Sequence, residues 1–100
     1  MANTFTALFR GAASTSSATL YTVPAATKTL VTSITVANTA AADATFDLEL
    51  NSVAIANDVT VASNDSITWE VKQVLDATNT ITGLASATTV NFHISGLEIS

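Results

Sequence analysis

Residues 45–50 read Thr45-Phe46-Asp47-Leu48-Glu49-Leu50. Large apolar side chains hold every even position and polar ones every odd position. Successive side chains of a β-strand point to opposite faces, so this alternation describes a strand with one face in a core and the other in water.

The same period runs outward in both directions. Upstream, Leu30, Thr32, Ile34 and Val36 share one phase, and Thr29, Val31, Ser33 and Thr35 the other. Before them Leu20, Tyr21 and Val23 form a shorter strand that Pro24 stops. Downstream, Asn51-Ser52 turns the chain into Val53 and Ile55, Val59 and Val61 follow Asn57-Asp58, and Asn64-Asp65 turns it again. Ile67, Trp69 and Val71 alternate with Thr68, Glu70 and Lys72. Ile81 precedes Gly83, and Val90, Phe92 and Ile94 alternate with Asn91, His93 and Ser95. After Gly96 the apolar residues, Leu97 and Ile99, move to odd positions. A β-bulge at Ser95-Gly96 would return them to the core face; a strand that crosses between sheets there is the alternative. No helical period appears. The spacing predicts an all-β fold, an antiparallel two-sheet sandwich of about eight strands, jelly-roll-like, with an extended N-terminal arm. The expected core holds Leu30 or Val31, Ile34, Val36, Phe46, Leu48, Leu50, Ile67, Trp69, Val71, Ile81, Val90, Phe92 and Ile94.

The first 17 residues differ from the rest. Phe5, Leu8, Phe9 and Arg10 precede Gly11-Ala12-Ala13-Ser14-Thr15-Ser16-Ser17, a flexible-linker composition. Residues 1–17 are therefore expected to form an arm and linker, and residues 18–100 a single sandwich domain. Phe5, Leu8, Phe9 and Arg10 become the candidate interface, docking outside their own sandwich. A first strand that joins the sandwich is the alternative.

One hundred residues make one domain. The hydrophobic fraction is 48%, and 18 of those residues are Ala, leaving 30 larger side chains, enough for one sandwich core. Charged residues are only 11%, against about 25% in an ordinary soluble domain. Thr, Ser, Asn and Ala must then cover the outer faces, and such a surface loses little hydration on meeting another protein. With no Cys there is no disulfide, and oligomerisation is the remaining stabiliser. The net charge of −5, with Arg10, Lys28 and Lys72 as the positive residues, argues against nucleic acid, whose phosphates need several Lys or Arg contacts. No apolar run approaches a membrane span. The segment to Ala18 lacks the pattern of a signal peptide, so synthesis and assembly inside a cell are expected.

No catalytic constellation emerges. His93 is the sole His and sits on the polar face of its strand, where a surface or interface role outweighs metal binding. No Gly-x-Ser-x-Gly elbow or phosphate loop exists, so no enzyme activity and no cofactor are expected. Asp43, Asp58, Asp65 and Asp76 fall in predicted loops; as turn formers they need no Ca²⁺, although loop carboxylates gathered at one end of a sandwich could bind it. Asn64-Asp65-Ser66 matches the glycosylation pattern and is better explained as a turn. Trp69 reads as a core anchor rather than a sugar-stacking platform, while Tyr21 could line a core or an interface.

Three segments carry a resemblance: Tyr21-Thr22-Val23-Pro24-Ala25, Ile34-Thr35-Val36-Ala37-Asn38, and Asn91-Phe92-His93-Ile94-Ser95-Gly96-Leu97-Glu98-Ile99. In this order they resemble small virion-associated proteins of tailed bacteriophages, in which a Tyr-x-Val-Pro-Ala strand, an Ile-x-Val-x-Asn strand and an Ile-Ser-Gly-x-Glu ending recur. The likeness spans residues 20–99 and leaves out the arm. It implies a β-sandwich virion protein. The expected function is a capsid cement or decoration protein that sits on the capsid exterior, binds the major capsid protein or other virion proteins, and self-associates, as a trimer. A tail-fibre or baseplate module, or a carbohydrate-binding sandwich, are the alternatives.

Overall fold

The computed structural model describes residues 3–100. Its strands are β1 (Asn3–Ala12), β2 (Ala18–Thr22), β3 (Lys28–Asn38), β4 (Ala44–Leu50), β5 (Val53–Val61), β6 (Ser66–Leu75), β7 (Thr80–Ala85) and β8 (Val90–Ile99). They form two antiparallel sheets of four, in the order β1-β8-β3-β6 in sheet A and β2-β7-β4-β5 in sheet B. The pairs β1·β8, β2·β7, β3·β6 and β4·β5 nest like the rungs of one long hairpin rolled up on itself. That is jelly-roll order. The hairpin's tip is Asn51-Ser52, with φ of 51° and 64°, a two-residue loop with both residues left-handed whose twist suits the flanking strands. No helix long and apolar enough to cross a membrane occurs among the described residues.

The core lies between the sheets. Val31, Phe46, Leu48, Val61, Ile81, Val90 and Phe92 are fully buried, with Ile34, Val36 and Ile94 almost so. Phe46 sits at its centre, its ring 5.9 Å from Phe92 edge-on and 5.7 Å from Trp69. Each such contact adds about 0.5–1.5 kcal/mol beyond burial alone. Leu50, Ile67, Trp69 and Val71 are only half-buried against this core. Leu8, Ala13, Val23, Ala44, Ala56, Leu75 and Ala85 complete it. Within sheet B the small residues Gly83 and Ala85 of β7 stand directly opposite the large Leu48 and Phe46 of β4, which leaves room for those side chains.

The arm requires a correction. Residues 3–12 pair along their length with β8 and form an edge strand of sheet A. Leu8 is buried in the core and Phe9 packs against it, so neither is free to dock elsewhere. The small-residue stretch does link, but it links two strands of one sandwich. Ala13 N–H donates to Val90 O at 2.8 Å, Ala85 N–H donates to Ser14 O at 2.9 Å, and the chain passes from sheet A to sheet B between them. Met1 and Ala2, the start of the expected arm, lie outside the described residues. The strand count of eight agrees with expectation for a mixed reason. β1 was not counted, while Val53–Val61, expected as two strands, is one strand bulged at Asn57-Asp58.

Candidate interaction surface

In β8 the buried positions stay even from Val90 to Gly96, and the strand itself has no bulge. Its two neighbours bulge instead. The register of β1 jumps between Ala7, opposite Ser95, and Phe9, opposite Ile94. The register of β3 jumps between Val31, opposite Gly96, and Ser33, opposite Ser95. Each inserts one residue, Leu8 and Thr32, beside Ser95. The bulge resolves the choice between Leu30 and Val31: Thr29 and Val31 face inward before it, Ile34 and Val36 after it, and Leu30 faces out. It also overturns both readings of Leu97 and Ile99. They neither return to the core nor cross to the other sheet; they point out of sheet A.

Residues directly opposite one another in paired strands share a face. Phe5 is opposite Leu97, Leu97 opposite Leu30, and Leu30 opposite Val74. These four side chains form one apolar row across the full width of the outer face of sheet A. Phe5 is 89% and Val74 64% exposed, while Leu30 and Leu97 are half-buried between them. Scattered exposed apolar residues need no explanation, but a contiguous row is a candidate interaction surface. Sequence reading found Phe5 and missed the other three. The available signal was the change of phase after Gly96, which marks a change of face.

Behind the row the inner face turns polar. Tyr21 donates its phenolic proton to Glu98, and the Thr29 hydroxyl, 2.9 Å away, donates to the phenol oxygen. Burial pushes the Tyr21 pKa up to about 12, and the hydrogen bond to Glu98 adds to the rise.

The remaining expected residues separate cleanly. Arg10 is exposed on the outer face of sheet A, in a row with His93, Thr35 and Thr68. The loop carboxylates serve turns and strands: Asp43 accepts from Ser63 N–H at 3.0 Å, Asp65 from Ser66 N–H at 2.8 Å, and Asp76 pairs with Lys28. Among the described residues no three His, Asp or Glu side chains gather as metal ligands. Trp69 is held tilted against Phe46 in the half-buried layer of the core.

The segments that carry the resemblance meet in space and hold the fold. The β3 segment pairs with the β8 segment, Ile34 opposite Ile94 and Val36 opposite Phe92. Tyr21 reaches Glu98. Asn38 is buried; its amide donates to the carbonyls of Ala42, Val61 and Ala62, and its carbonyl accepts from Ala40 N–H and the Thr89 hydroxyl. These are scaffold residues, so the likeness they carry speaks to architecture. Neither a protein-family profile nor any curated protein matches the chain.

Proposed function

We propose that this chain is a structural protein of a bacteriophage particle, a decoration or cement protein that binds the outer capsid and reinforces it by contact. The observation that carries the reading is the solvent-facing row Phe5, Leu97, Leu30 and Val74 on a surface otherwise poor in charge. The row crosses four hydrogen-bonded strands, so it is a rigid strip that orders little on docking and keeps most of its contact energy. The jelly roll adds a platform whose two outer faces and four edges are all available for packing between subunits. The partner in this reading is the major capsid protein, with a homo-oligomer, the trimer, as the form that matches a capsid symmetry axis.

The test is to locate the chain in a reconstruction of the particle that carries it. Density over capsid subunits, with the outer face of sheet A against the shell or a neighbouring subunit, supports the proposal. Density confined to the tail replaces decoration with a tail role, and absence of the chain from purified particles ends the virion reading.

A further inference from the structure

The charges of this protein are sorted by face. Arg10 and His93 share a row on the outer face of sheet A. Lys28 lies opposite Ile99 on that face, and Lys72 shares the outward phase of Glu70 and Val74 on β6. All three Lys and Arg residues of the chain therefore sit on one face; Asp76 pairs with Lys28 and Glu70 lies beside Lys72, which leaves the face with a net positive charge carried by Arg10 and Lys72. The outer face of sheet B is the reverse. Asp47 and Glu49 alternate with buried Phe46 and Leu48, and Asp58 stands exposed at the β5 bulge, where Asp47 accepts its backbone N–H at 2.7 Å. Asp47 lies opposite Leu84 and Glu49 opposite Thr82, and no cation occurs on the face.

We infer that the outer face of sheet A in one copy docks on the outer face of sheet B in a second copy, the basic apolar face against the acidic threonine-rich one. Pairing like faces is the poorer choice, since A on A sets cations against cations and B on B sets three carboxylates against three. The size of the faces sets the strength of the contact. Sheet B sets the limit: its four strands, of 5, 6, 7 and 9 residues, spaced about 4.8 Å apart at about 3.3 Å per residue, present roughly 430 Å², the size of a weak, reversible contact rather than of an obligate one. Because the two faces differ, the contact is heterologous. It closes into a ring only if each copy is suitably rotated on the last, and otherwise runs on as a row. The pairing needs only this chain, so it stands or falls independently of any capsid role.

The experiment is sedimentation of the full chain at tens of micromolar, in low salt and in about 0.5 M salt. One variant carries Arg10→Glu and Lys72→Glu, both exposed. A second carries Glu49→Lys and Asp58→Lys, with Glu49→Gln and Asp58→Asn in its place if its melting point falls. The parent associates in low salt and dissociates in high salt. Each charge-reversed variant alone is monomeric, because its two faces now carry the same sign. An equimolar mixture of the two reversed variants regains the parent's sedimentation, and with the neutral pair the second variant alone loses association. A parent that stays monomeric in low salt overturns the inference. So does a face-B variant that associates like the parent, which would mean that like faces pair, or reversed variants that stay apart when mixed.

Discussion

The hydroxyl of Tyr21 donates to the carboxylate of Glu98 across 77 residues of sequence, tying the second strand, in sheet B, to the last, in sheet A. The contact closes the end of the sandwich where the core runs out of apolar side chains. Thr29 completes it, and the Thr6 hydroxyl stands 3.5 Å from the other Glu98 oxygen.

Tyr21→Phe removes the proton that Glu98 accepts and should destabilise the fold by about 1.5–3 kcal/mol, the range for hydrogen bonds to charged groups. Urea unfolding at neutral pH measures this. The same pair gives an alkaline signature. The folded state raises the Tyr21 pKa from 10.0 to about 12, so it holds the phenol proton more tightly than the unfolded chain does. That contribution is complete below pH 10 and is lost as pH rises through about 12. The stability gap between parent and Tyr21→Phe should therefore shrink between these limits, and a gap constant with pH would contradict the assignment.

Asn38 ends β3 and gathers three carbonyls from the loop after β3 and the end of β5. Asn38→Ala leaves buried groups without partners, at about 1–3 kcal/mol for the first such group. Asn38→Asp should be worse at neutral pH, because a carboxylate would face those carbonyls with no proton to offer. Thermal melts of the two variants give the order; equal melting points would mean that water replaces the amide.

What sequence could reveal follows from which constraints are local. The alternation in β4, β6 and β8 was legible because each has one face in the core and one outside, which the residues themselves record. The bulges at Leu8 and Thr32 were not, since each exists only relative to the strand beside it. Without them the choice between Leu30 and Val31 stayed open and the outward row stayed hidden. β1 was misread because Gly11 to Ser17 has the composition of a free linker. It is small-residued for another reason, the tight passage from one sheet to the other. The pairing of faces by charge was out of reach until each charge had a face.

Gly96 sits where both flanking strands bulge. A Cβ there would lie 2.5 Å from Leu30 O and 2.9 Å from Leu8 Cδ1. The carbonyl belongs to the backbone and cannot rotate away, so Gly96→Ala should cost about 1–3 kcal/mol, as overpacking does. Gly11, also in a strand of sheet A, offers the contrast, with nothing nearer to its Cβ than the Phe9 ring at 3.4 Å. Gly11→Ala should change stability by no more than about 0.5 kcal/mol. Chemical denaturation of the pair tests the bulges directly, because a flat, regular sheet would treat both glycines alike.

Removing the chain up to Gly11 distinguishes an integral first strand from an arm. The deletion takes away nearly all of β1, strips the backbone partners from one side of β8 and empties the site of Leu8. Loss of a buried Leu side chain alone costs about 2–5 kcal/mol. Typical domains hold only about 5–15 kcal/mol in all, so the truncated chain should lose its cooperative melt and the dispersion of its amide spectrum. Phe5→Ser isolates the exposed part of the same strand. With Phe5 89% exposed, this change should leave stability within about 0.5 kcal/mol of the parent. If the truncated chain instead melts cooperatively near the parent's temperature, β1 contributes little to its own sandwich, and the segment is free to serve a neighbour.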